Sequence, residues 1–217
     1  MAQRDVPADR SRALASYRRI ASAYDSATRR IERKRRRAIA LLELRQGETV
    51  LDVACGTGAA FEALSEAVGP TGRVIGVEQS PEMIELARRR VAALGLGNVI
   101  LIPAAVEEAA MPGPVDAVLF CYAHDVLRSP AALRNVFGAA RAGARVASVG
   151  AKLFPRWLAF LDPWVRWRTR SFISTQEGLD QPWSLLAEFV PDFAVREVTV
   201  AGSGYIGAGS YSARARA

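Results

Sequence analysis

This chain has little of what metal and nucleophile chemistry usually needs. Among 217 residues there is one histidine, His124, and there are two cysteines, Cys55 and Cys121. Two thiols so far apart do not suggest a zinc site, and no metal is expected. No apolar run approaches the roughly 18 residues of a spanning helix. Met1 is followed by polar residues instead of an apolar stretch, so no secretory leader is expected and the anticipated setting is cytoplasmic. There is no internal repeat and no G-x-x-x-x-G-K-[ST] phosphate loop. Acidic residues are in deficit: 22 Asp and Glu face 29 Lys and Arg, a net charge of +7. That balance suits an anionic partner.

What the chain does have is a strand that ends in a tight glycine turn. In LDVACGTG, residues 51–58, Leu51 and Val53 supply the side chains of a strand covered on both faces. Gly56 and Gly58 let the backbone turn and approach a ligand closely. A helix over 58–68 then presents its N-terminal amides to whatever sits above the turn. Glu78 closes the next strand pattern, RVIGVE, 20 residues after Gly58. A carboxylate at about that spacing can take both hydroxyls of a ribose. The constellation predicts a pocket for a nucleoside-bearing cofactor. A dinucleotide site would need a third glycine where Phe61 stands, so NAD and FAD are disfavoured.

These residues resemble the first motif of the class I S-adenosylmethionine-dependent methyltransferases, a strand ending as hhD-h-x-x-G-x-G. The resemblance extends to Y-x-x-I-A-x-x-Y-D at Tyr17, Ile20, Tyr24 and Asp25, as in the ubiquinone/menaquinone C-methyltransferase group. It implies that S-adenosylmethionine is the cofactor and that residues 1–45 form a helical lid, with Tyr17 and Tyr24 over the ligand. It implies that Asp52 approaches the cofactor's amino-acid end, that Ala54, Gly56 and Gly58 bind the cofactor, and that Glu78 holds the ribose. Gln79, Met83, Ala105, Val106 and Cys121 would complete the site. One departure stands out: the family's acid for the adenine amino group is absent, with Ala104 and Ala105 in its place.

The rest of the core alternates. Strands 50–54, 73–78, 98–102, 115–120 and 144–150 are separated by helices 58–68, 81–94 and 130–140. Ser80 and Pro81 read as a helix start, and Gly95 as its end. Strands 193–200 and 205–211 follow. The expected fold is α/β and Rossmann-like, a mainly parallel seven-stranded sheet with an antiparallel C-terminal pair and an N-terminal helical lid. Residues 46–217 form the cofactor-binding domain, with a Trp/Arg-rich insert near 153–182.

Two segments invite chemistry. In FCYAHDVL, 120–127, Tyr122 is positioned to face a sulfonium, His124 to take a proton, and Asp125 to orient an acceptor. LFPRWLAFLDPWVRWRTR, 153–170, interleaves Trp157, Phe160, Trp164 and Trp167 with four arginines. It reads as an acceptor-pocket wall, an interfacial helix or a closing core helix, and Pro163 should kink or break it. The basic run RRIERKRRR, 29–37, reads as a solvated helix face, with an anionic-surface footprint as the alternative.

The expected function is methyl transfer from S-adenosylmethionine to a small or medium organic acceptor with an apolar portion, by a monomer or homodimer. Nucleic acid is not the expected partner. Attack at the cofactor's γ-carbon, a membrane-surface lipid or quinone methyltransferase, and a non-enzymatic binding module remain as alternatives.

Overall fold

A computed structural model describes residues 31–213. Its centre is a seven-stranded sheet of order β3-β2-β1-β4-β5-β7-β6. The strands are β1 Thr49–Val53, β2 Arg73–Glu78, β3 Val99–Pro103, β4 Val115–Cys121, β5 Ala140–Ala151, β6 Ala194–Thr199 and β7 Gly204–Ser210. Strands β1 to β5 pair in parallel, and β7 runs antiparallel to both β5 and β6. The chain builds outward from β1 in one direction, then returns to its other side with β4. The crevice between the C-terminal ends of β1 and β4 is therefore the switch point, where such sheets bind ligands.

Seven α-helices are present among the described residues: α1 Glu32–Ala40, α2 Phe61–Val68, α3 Pro81–Leu94, α4 His124–Leu127, α5 Pro130–Gly138, α6 Asp162–Thr169 and α7 Leu186–Phe189. Helix α3 spans the expected residues because its punctuation is strong. The Ser80 hydroxyl accepts from the Met83 amide at 3.3 Å, and Gly95 takes a left-handed conformation at the far end. Ser129 caps α5 in the same way. Helix α2 begins three residues later than expected, because residues 54–60 are consumed by the turn. Strand β5 begins four residues earlier than its apolar pattern, its first residue pairing with Val115.

Two apolar layers cover the sheet. One joins Ala38, Ile39 and Leu42 to Val50, Leu64 and Val149; the other joins Leu51 and Val53 to Leu133, Val136 and Phe137. Helix α1 thus packs on the sheet itself. Phe61 occupies space that two glycines leave open. A Cβ on Gly58 or Gly76 would come within 2.4 Å or 2.6 Å of its ring. The large side chain at the third-glycine position is accommodated from the strand side.

Candidate active site

The end of β1 is built around a buried carboxylate. Glu78 is 6 % exposed. One of its oxygens accepts from the Gly56 amide at 3.1 Å, the other from the Ser80 amide at 2.8 Å. Burial pushes its carboxyl up from the ordinary value, and these amides pull it back. The carboxylate thus clamps the glycine turn to the start of α3. The Gln79 amide adds to these two bonds, which leaves part of the carboxylate's acceptor capacity open. The turn is closed internally by Gly58 N to Cys55 O and Phe61 N to Gly58 O, both 3.0 Å. Arg90 braces it from α3 by donating to the Thr57 carbonyl at 2.8 Å. Gln79 is half-buried beside Glu78, and Met83 is fully buried.

The two strands that flank the switch point both end in left-handed residues other than glycine: Ala54 at φ 54° and Tyr122 at φ 59°. Each conformation costs about 1–3 kcal/mol, and such strain gathers at functional sites. Asp52 lies just below, 2 % exposed. Burial pushes its carboxyl up to about 7, the Arg35 guanidinium lowers it, and the Glu78 charge adds to the rise. Arg35, from α1, is 5 % exposed and pairs with Glu32. It also lies beside Cys121, whose thiol desolvation pushes up to about 11. That thiol stays protonated at neutral pH and is no nucleophile.

The basic run around Arg35 is therefore not one solvated face. Arg33, Arg36 and Arg37 are exposed, whereas Arg35 turns inward. The signal was present: Arg35 shares the helical stripe of Ile31, Ala38, Ile39 and Leu42. Tyr17, Ile20, Tyr24 and Asp25 lie outside the described residues.

A cavity lies over the ends of β4 and β5, and no residue of β1, the glycine turn or Glu78 lines it. Tyr122, His124, Val149, Trp164, Phe172 and Tyr205 are among its walls. His124 is 7 % exposed on the short helix α4. Its Nε2 lies 3.0 Å from the Glu177 carbonyl, which can only accept, so Nε2 carries the proton. Nδ1 is then a bare lone pair, and it is buried without a hydrogen-bond partner among the described residues. Burial holds the ring's pKa below its ordinary value, against the raising effect of Asp125.

Asp125 behaves differently from its neighbour. Both of its oxygens accept from the Ser174 amide, at 3.0 Å and 2.9 Å. It ties down the loop after α6 and does not line the cavity. Ala105 and Val106 are buried, and the Val106 carbonyl accepts from Asn135 at 2.7 Å. Glu107 is held by the Ser129 hydroxyl at 2.7 Å, so it does not replace the absent acid near Ala104.

Residues 50–143 match a methyltransferase domain family. The match runs from β1 into β5, a little under half of the chain. Among curated relatives, the demethylmenaquinone methyltransferase of Symbiobacterium thermophilum is 34 % identical over 149 residues, 64 % of this chain and 56 % of that protein. The protein-L-isoaspartate O-methyltransferase 1 of Archaeoglobus fulgidus is 45 % identical over 62 residues, 29 % of each chain. The chain thus spans between about a quarter and just over half of these relatives. Among solved structures, a SAM-dependent methyltransferase of Aquifex aeolicus shares the fold with TM-score 0.60 at 23 % identity, over 84 % of this chain and 92 % of that one.

The residues present fit S-adenosylmethionine, the cofactor that the resemblance implies. Glu78 keeps acceptor capacity for a further donor. The glycine turn presents backbone with no side chain in the way. Asp52 and Arg35 are buried close enough for each to shift the other's ionisation.

Proposed function

We propose that this protein transfers the methyl group of S-adenosylmethionine to a small or medium acceptor with an apolar portion. The observation that carries this reading is a buried carboxylate that clamps the glycine turn after β1, with a largely apolar cavity over the ends of the neighbouring strands β4 and β5 whose wall includes Tyr122 and His124.

The bound cofactor supplies an electrophilic methyl on a sulfonium with a good leaving group. The residues then contribute alignment and exclusion of water. In this reading Glu78 fixes the ribose and Asp52 with Arg35 the amino-acid end. Tyr122 faces the sulfonium, where an aromatic ring attracts a cation. His124 is the proton acceptor in this reading: its ring lines the cavity, and with Nε2–H on the Glu177 carbonyl the proton would go to Nδ1 once that buried atom is uncovered. Asp125 holds the cavity wall in place.

Nothing in this arrangement favours attack at the γ-carbon over the methyl, so the product decides. Incubation with S-adenosylmethionine and a cell extract, read by mass spectrometry, should yield S-adenosylhomocysteine and an acceptor heavier by one methyl. Accumulation of methylthioadenosine instead would replace methyl transfer with γ-carbon chemistry on the same fold.

A further inference from the structure

The insert between β5 and β6 holds its largest aromatic side chains out of the core. It runs as a 3-10 helix, Arg156–Leu161, followed directly by α6 Asp162–Thr169, with Pro163 at the junction. Trp157 is 75 % exposed, Phe160 73 %, Trp167 60 % and Trp164 44 %. Single exposed apolar residues are ordinary, but four large ones on consecutive turns are a patch.

The same segment is cationic. Arg156, Arg166, Arg168 and Arg170 face a single acid, Asp162, whose carboxylate accepts from the Phe154 amide. The Arg168 guanidinium lies 5.3 Å from the Trp164 ring centre and Arg170 5.5 Å from that of Trp167. Among the described residues, none of the four is paired with a carboxylate. Indole rings backed by arginines are the side chains that seat at a lipid headgroup boundary, rings inward and guanidinium groups toward phosphate.

The patch is also continuous with the cavity. Trp164, Arg168 and Phe172 belong to both, and Val200, itself exposed, lies on the cavity wall with them. The cavity mouth therefore opens within the aromatic–arginine face.

We infer that this face docks on an anionic phospholipid bilayer, and that the acceptor enters the cavity from the bilayer. The second half rests on the methyl-transfer reading; the docking does not. A second copy of the chain is a poorer occupant. A two-fold contact through this patch would set its unpaired arginines against themselves, and like charges across an interface cost affinity.

The test is flotation of the full chain with vesicles of phosphatidylcholine containing phosphatidylglycerol, and with phosphatidylcholine alone. Binding is expected to the anionic vesicles and to weaken with salt. The Trp157→Ser/Trp167→Ser double variant should lower partitioning by about tenfold or more, since both side chains lie at the interface. Arg166→Gln and Arg170→Gln should each cost about fivefold, on anionic vesicles only. Brominated lipid should quench tryptophan emission in the wild type. The melting-temperature rise with S-adenosylhomocysteine is measured separately in each variant and should persist, because none of these residues belongs to the cofactor cradle. Loss of that rise would count against the methyl-transfer reading and leave docking standing. Docking is overturned if the wild type fails to float with anionic vesicles at low salt, or if the double tryptophan variant floats equally well. It is also overturned if sedimentation shows a dimer that the double variant dissociates while vesicles bind neither protein.

Discussion

The two sides of the crevice are held together in different ways. On the cofactor side, contacts are short-range and mostly backbone: the glycine turn bonds to itself, to β2 and to a carboxylate 22 residues away. On the acceptor side, the wall is an insert fastened at a few distant points. Asp125 holds the Ser174 amide, His124 holds the Glu177 carbonyl, and the Leu153 amide donates to Leu179 at 2.7 Å. The first side tolerates little change, because its bonds are backbone bonds fixed by the turn's own geometry. The second is fastened at few points and can vary around a constant reaction.

The comparison breaks first at Gly58. Its φ is 71°, and any Cβ would meet the Phe61 ring. Gly58→Val should abolish the melting-temperature rise with S-adenosylhomocysteine and lower the melting temperature itself. A variant that still responds to the ligand would show that this turn does not touch the cofactor.

His124→Gln probes the junction of the two sides. Glutamine can keep the donor to Glu177 but not the lone pair at Nδ1. The expectation is a loss of about a hundredfold in kcat with unchanged cofactor affinity. In the wild type, the acid limb of kcat should fall below pH 6.5, because burial lowers the ring's pKa. In His124→Gln that limb should vanish. An unchanged kcat would leave alignment alone to carry the reaction.

The same contrast explains what was legible in the sequence. The strand, the glycine turn, Glu78 and α3 are written in local patterns: alternation, punctuation and capping at Ser80 and Gly95. The seven strands followed for the same reason. The insert could not be read this way. Its shape depends on bonds spanning about 50 residues, from Asp125 to Ser174 and His124 to Glu177. Asp125 is expected from its motif position to meet the acceptor, but its oxygens go to backbone amides. Helix α4 is too short to leave a periodic signal. Arg35 was hidden by its neighbours: in a run of seven basic residues, charge outweighed the helical stripe that places it inside.

Asp125→Ala should loosen only the acceptor side. It removes charge-assisted bonds worth about 1.5–3 kcal/mol locally. Amide exchange over 172–179 should accelerate and the acceptor KM should rise, with no change in cofactor affinity. Faster exchange in the glycine turn as well would mean that the two sides are mechanically coupled.

The smallest effect should come from Asp52. Its folded-state pKa, about 7, lies above the ordinary 3.8. Between these values the native state holds more protons than the unfolded one, so its contribution to stability is present below pH 3.8 and lost as pH rises through 7. Asp52→Asn should flatten that part of the ligand-free stability profile and raise the melting temperature at pH 8. It should also weaken S-adenosylhomocysteine binding, a local exchange of stability for function. An identical pH profile in the variant would show that the carboxylate titrates no differently when folded.

The central claim is that Glu78 and the glycine turn hold the nucleoside. Calorimetric titration of S-adenosylhomocysteine into the wild type and Glu78→Ala tests it most directly. Saturable binding should be seen in the wild type and should weaken by about 1–3 kcal/mol in the variant. Equal affinities, or no heat from the wild type at millimolar ligand, would contradict it.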